Sequence, residues 1–139
     1  MCRCTRRSAM IAMAAALAGL APRARAAPPS EHRAFIDAAF KMRDEAVGMG
    51  DQPYGAVVVK DERIIGYGPS RVVLKQDPAA HAEREAIREA QARLGTTNLS
   101  GGVLYSTSRP CAVCERAAAE ANIARMIHGA EATDAGPPR

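Results

Sequence analysis

From Ser30 the apolar positions Ala34, Phe35, Ala38, Ala39, Met42 and Ala46 recur at helical spacing, the period of a face turned toward a core. Ser30 has an N-cap side chain, Glu31 opens an acidic first turn, and Gly48 and Gly50 close the segment. The period then changes. Residues 54–60 include Val57-Val58-Val59, Asp61-Glu62 forms a short polar turn, and residues 63–67 are again β-rich, which predicts a hairpin. Residues 69–77 read as a loop. Asp77-Pro78 then looks like a helix start, with a capping acid and Pro at the first position, and predicts a second helix over residues 79–94 that stops at Gly95. Gly101-Gly102 leads into a short buried strand over residues 103–106. Pro110 opens a third helix to about Asn122, and residues 124–129 form a fourth strand. Helix, two strands, helix, strand, helix, strand predicts an α/β fold, a mixed sheet of four to five strands covered by helices. Residues 131–139 are polar, contain Gly136-Pro137-Pro138, and are expected as a flexible C-terminal tail.

Composition divides the chain in two. Residues 1–26 carry Arg3, Arg6, Arg7, Arg23 and Arg25 and no acid, around an uncharged apolar run over residues 9–21. Ala24-Arg25-Ala26 matches an A-x-A cleavage site, so residues 1–26 read as an export signal peptide leading to the periplasm. Thr5-Arg6-Arg7 resembles a twin-arginine signal, and the alternative is a cytosolic protein with an unused leader. The apolar run is too short for a membrane span. The whole chain has 19 basic and 15 acidic residues; with five arginines in the leader, residues 27–139 hold 14 basic against 15 acidic. The basic excess therefore belongs to the leader, which argues against a broad phosphate-binding surface and so against nucleic acid as partner. Of four cysteines, Cys2 and Cys4 precede the cleavage site, leaving only the Cys111-x-x-Cys114 pair, a metal or redox motif and not a disulfide framework.

The chemistry lies in His81-Ala82-Glu83 and, about thirty residues on, Pro110-Cys111-Ala112-Val113-Cys114. One imidazole and two thiolates make a three-ligand zinc (Zn2+) set with a fourth position open to water. Residues three apart share a helix face, and the N-terminal turn after Pro110 favours thiolates at Cys111 and Cys114. Glu83 is a spare carboxylate able to move protons. His81 and Glu83 are two apart, however, and such residues do not share a helix face.

These motifs, with Pro53-Tyr54-Gly55-Ala56-Val57 and Asp77-Pro78-Ala79-Ala80 before them, resemble the cytidine deaminase-like superfamily, and within it guanine deaminases and tRNA adenosine deaminases. The resemblance covers residues 30–130. It implies a three-layer α/β/α domain there, one zinc per subunit and a homodimer. It implies His81, Cys111 and Cys114 as metal ligands, Glu83 as proton shuttle, and the Ala82 backbone as a contact to the base. Ser70 stands in the loop where the family has an Asn that helps hold the base. Tyr54 is placed either to stack on the base or to pack in the core. Arg109 stands where many relatives have Glu, and the chain closes soon after the fourth expected strand, where relatives continue with a fifth.

The function so implied is zinc-dependent hydrolytic deamination of a free nucleobase or nucleoside, a guanine-like purine first, with release of ammonia. The alternatives are a tRNA-specific adenosine deaminase and a non-catalytic zinc-binding or redox protein of the same fold, the latter because a lone C-x-x-C can be a redox dithiol. His32 and His128 are further ligand candidates by type, better read as surface histidines. Arg84, Arg88 and Arg93 are expected to pair with Glu85 and Glu89 along one helix.

Overall fold

Asp61 and Glu62 both have positive φ, 50° and 61°. Two left-handed residues in a row make the tight turn whose twist suits a hairpin. The turn joins β1 (Gly55–Lys60) to β2 (Arg63–Pro69), paired antiparallel from Gly55↔Pro69 to Lys60↔Arg63. The computed structural model describes residues 30–139, and the leader expected over residues 1–26 lies outside the described residues. The other elements are α1 (Ser30–Gly48), α2 (Ala82–Leu94), β3 (Val103–Ser106), α3 (Ala112–Glu120), β4 (Arg125–His128) and β5 (Thr133–Gly136).

The five strands form one mixed sheet in the order β2-β1-β3-β4-β5. Only β3 and β4 run parallel, joined by α3 as the crossover; the other pairs are antiparallel. The valine run of β1 is buried on both faces. Val57 and Val59 pack with Ile36 of α1, Tyr105 and Ile127. Val58 packs on the opposite face with Leu104, Met126 and residues of α2 and α3. The result is a three-layer α/β/α domain, with α1 on one face and α2 and α3 on the other.

Close approach fixes α2 against β2. A Cβ on Gly66 would lie 2.1 Å from the Ala86 carbonyl oxygen, and one on Gly68 would lie 2.0 Å from that of Ala82. No side chain fits at either position, so the first turns of α2 sit directly on β2. That contact fixes where His81 and Glu83 emerge.

Three expectations change in detail. The second helix begins at Ala82, not at residue 79. The Asp77 carboxylate accepts the Ala79 N–H (2.8 Å) and the Asp77 carbonyl accepts the Ala80 N–H (3.0 Å), so residues 77–80 form a turn of their own. The third helix ends at Glu120, and Asn122 follows with φ 59°, a left-handed stop. Residues 133–136, expected in a loose tail, form the fifth strand, paired antiparallel with β4 and tied to it by the Arg125–Asp134 ion pair. As a four-residue edge strand with only Ala135 packed against the core, it carries too little apolar pattern to mark it as β. Among the described residues no helix is long and apolar enough to cross a membrane.

Candidate metal centre and pocket

His81 is the N-cap of α2, with φ −63° and ψ 152°, and Cys111 is the N-cap of α3, with φ −71° and ψ 167°. Neither side chain caps its helix. Their extended backbones swing both side chains off the helix ends and toward each other. Cys114, in the first turn of α3, is fully buried. His81 Nδ1 lies 3.6 Å from Cys111 Sγ and 3.4 Å from Cys114 Sγ, and the three ligand atoms all lie within 4.8 Å of one another. Zinc bonds of about 2.3 Å to sulfur and about 2.0–2.1 Å to nitrogen at tetrahedral angles imply an N···S edge of about 3.6 Å. The trio fits that edge. Among the described residues it is the only group of three or more His, Cys, Asp or Glu side chains placed to hold a metal.

The electrostatics point the same way. Burial, the neighbouring Glu83 carboxylate and Cys111 all push the Cys114 thiol well above its ordinary value. Two thiolates and a carboxylate are not stable so close together without a cation. A divalent metal supplies the missing charge and deprotonates the thiols it binds.

Glu83 is only 7% exposed, and its carboxyl makes a hydrogen bond with Cys114. Burial raises its pKa; the hydrogen bonds from its own backbone and from Cys114, and the field of His81, oppose the shift. The helical-wheel objection does not apply, because His81 has an extended backbone and lies outside the helix. A cap and the second residue of the helix that follows it can face one point.

The metal trio opens into a cavity of about 370 Å³ whose wall includes Tyr54, Ser70, Ala82, Glu83, Ser108 and Arg109. Every residue that the sequence singled out for the site lies in the trio or on this wall. Tyr54 is 45% exposed, so it belongs to the pocket mouth and not to the core. Ser70 is buried, and its hydroxyl donates to Asp51 Oδ1 at 2.8 Å. Arg109 also borders a second, polar depression with Arg116 and Arg139. His128 is half-buried; burial first, then Arg109, lower its pKa. His32 hydrogen-bonds the Tyr105 hydroxyl at 2.9 Å. Neither histidine joins the metal group. Along α2, Arg88 pairs with Glu85 and Arg93 with Glu89, and Lys75 also reaches Glu85.

Sequence reasoning missed Asp51, Gln52 and Ser108. All three lie in loops, and the one available signal was an acid between the end of α1 and the start of β1, too common in loops to single out.

The family described as the cytidine and deoxycytidylate deaminase zinc-binding region matches residues 29–130. The chain belongs to this deaminase family. Its His81, Cys111 and Cys114 trio is positioned to hold the zinc of that family. The deaminase domain is similar to the guanine deaminase of Bacillus subtilis, 40% identical over 105 residues, covering 75% of this chain and 67% of that one. It is also similar to the tRNA-specific adenosine deaminases of Aquifex aeolicus (38% identical, 69% of this chain, 64% of that one) and Haemophilus influenzae (38%, 66% and 54%). The chain thus spans between about half and two thirds of these relatives' lengths. Among solved structures, the Bacillus subtilis guanine deaminase superposes with TM-score 0.68 at 37% identity, over 70% of this chain and 63% of that one. A structure from a study of A-to-I editing by tRNA:A34 deaminases superposes with TM-score 0.67 at 36% identity, over 69% and 70%.

Proposed function

We propose that this deaminase acts on a free purine base or its nucleoside, guanine-like, replacing a ring amino group with oxygen from water and releasing ammonia. One observation carries the reading: a buried, protonatable carboxyl, Glu83, stands beside the metal trio on the wall of a cavity of about 370 Å³, room for a single purine. Zinc, when bound, supplies the Lewis acidity that lets water attack near neutral pH. Glu83 takes one proton from that water and delivers it to the ring nitrogen beside the amino-bearing carbon, then takes the second proton from the newly added hydroxyl and delivers it to the departing amine. Burial suits it to the task, since a raised pKa brings the carboxyl closer to the pH at which it must both accept and return a proton. Tyr54 at the mouth stacks on the flat ring, and the Ala82 backbone borders its edge.

The similarities alone weigh guanine and tRNA adenosine about equally. The charge balance favours the small substrate. Residues 27–139 hold 14 basic against 15 acidic residues, where a tRNA-binding surface needs an excess of Lys and Arg.

Ammonia release by the zinc-loaded protein from guanine, adenine, cytosine and their nucleosides tests the reading, with Glu83→Gln as control. Release from a purine that vanishes in the control is expected. Inosine formed only in a tRNA anticodon stem-loop, with salt-sensitive binding, would replace the free base by tRNA. Zinc well below one per chain, with a reversible Cys111–Cys114 disulfide, would point to a redox protein.

A further inference from the structure

Asp51 lies in the loop between α1 and β1, is not one of the metal trio, and is only 8% exposed. Its carboxylate is saturated. Oδ1 accepts the Gln52 N–H and the Ser70 hydroxyl, both at 2.8 Å, and Oδ2 accepts the Val73 N–H at 3.0 Å and the Leu74 N–H at 2.9 Å. An ionised carboxylate has about four lone-pair sites and no proton to give. Nothing is left over for a ligand. Burial would raise this carboxyl, but the hydrogen bonds from Leu74, Gln52, Ser70 and Val73 outweigh it and hold it at about 2. The proton between Asp51 and Ser70 therefore belongs to Ser70.

Ser70 has two donors, and both are taken. Its hydroxyl donates to Asp51, and its backbone N–H donates to the Tyr54 carbonyl at 3.0 Å. Toward the cavity it can offer only oxygen lone pairs. An amide at this position would offer both a donor and an acceptor.

We infer that Asp51 fixes the polarity of Ser70, so that the wall at Ser70 selects a substrate presenting an N–H or O–H donor to it. Ser70 is then a specificity-determining residue and Asp51 a positioning residue. Asp51 also ties down residues 73 and 74 and so holds the loop that carries Ser70. The inference rests on the deaminase reading above and narrows its substrate: the group facing Ser70 is a ring N–H or an amino group, not a bare ring nitrogen. A mismatched ring nitrogen would place lone pair against lone pair in a desolvated wall, where an unmade hydrogen bond is costly.

The test measures binding of guanine analogues to the zinc-loaded full chain and to its Ser70→Ala, Ser70→Thr and Asp51→Asn variants. 1-Methyl- and 9-methylguanine each mask one ring N–H, and N2,N2-dimethylguanine masks the amino donors. 3-Deaza- and 7-deazaguanine each remove one acceptor nitrogen. One masked donor is expected to weaken wild-type binding about tenfold while leaving Ser70→Ala indifferent. Ser70→Thr, which keeps the hydroxyl, should discriminate like wild type. Asp51→Asn should lose the discrimination while still holding one zinc per chain, which separates positioning from general damage. Coupling of Ser70 to a deaza analogue, or to no analogue, overturns the inference even if guanine binds. If guanine fails to bind but adenine or adenosine binds, and masking one of its N–H groups couples to Ser70, the guanine reading falls and the donor rule stands. Binding of no base overturns both.

Discussion

His81 and Cys111 occupy the same station on two different helices: each is the N-cap, each has an extended backbone, and neither uses its side chain as a cap. N-cap side chains elsewhere satisfy the helix's own free N–H groups. Here both are turned outward to one point 3.6 Å apart, with Cys114 completing the trio. Local helix stability is given up for a metal site.

Zinc should therefore bind at one per chain and act as part of the fold. Cys111→Ser, Cys114→Ser and His81→Ala are each expected to lower the zinc content of the purified protein, measured by elemental analysis. At a hundredfold excess over its dissociation constant, zinc should stabilise the native state by about 2.7 kcal/mol, read as a rise in Tm that a chelator reverses. Because the thiols lose protons on binding, affinity should fall as pH is lowered. A Tm indifferent to zinc and chelator would count against the site.

Glu83→Gln should keep zinc and lose turnover, about 10²–10⁴-fold in kcat. The raised carboxyl works against the metal-free fold at neutral pH. For an acid whose folded pKa lies above its unfolded one, the penalty is present at high pH and relieved as pH falls through the folded value. The zinc-free variant should thus match or exceed zinc-free wild type in Tm at pH 7, and the difference should shrink on acidification. A large loss of Tm at pH 7 would show that Glu83 is structural.

Asp51 has the opposite sign. Held at about 2 against an ordinary 3.8, its carboxylate contributes stability that is complete above about pH 4 and is lost as pH falls toward 2. Asp51→Asn should lower stability at pH 7 by on the order of 1 kcal/mol, after allowing for solvent screening at the loop. Urea titrations of the two proteins should converge near pH 2. A gap that persists at that pH would assign the effect to packing instead.

Gly68 and Gly101 should respond very differently to alanine. At Gly68 the new Cβ would meet Ala82 backbone 2.0 Å away, so Gly68→Ala should cost about 3 kcal/mol or more and disturb zinc binding by moving α2. At Gly101 nothing lies within 4 Å and only the positive φ of 83° objects, so Gly101→Ala should cost about 1 kcal/mol and leave zinc binding alone. Chemical denaturation and zinc titration of both variants separate the two cases.

The layers of the fold were legible because apolar period tracks burial: α1 at helical spacing, the valines of β1, and the short strand from Val103 each follow from what they must cover. The metal ligands were legible because residue type and spacing are nearly diagnostic. The start of α2 was misplaced because Asp77-Pro78 satisfies the rules for a helix start and for a turn alike, and only contacts made in the fold choose between them. β5 escaped because Thr133 and Asp134 are polar and exposed, only Ala135 reaches the core, and its pairing partner lies in β4. Asp51 escaped for a related reason. Its importance comes from four donors, three of them backbone N–H groups whose directions no residue type encodes.

The sheet order gives the metal centre a place in time. α2 follows β2 and α3 follows β3, and those strands flank β1 on opposite sides. His81 and the two cysteines can meet only after β1 has zipped to both neighbours in register. A full zinc grip then reports that β2, β1 and β3 are paired: a chain still assembling offers the ion scattered ligands, while the paired strands offer a three-pronged grip.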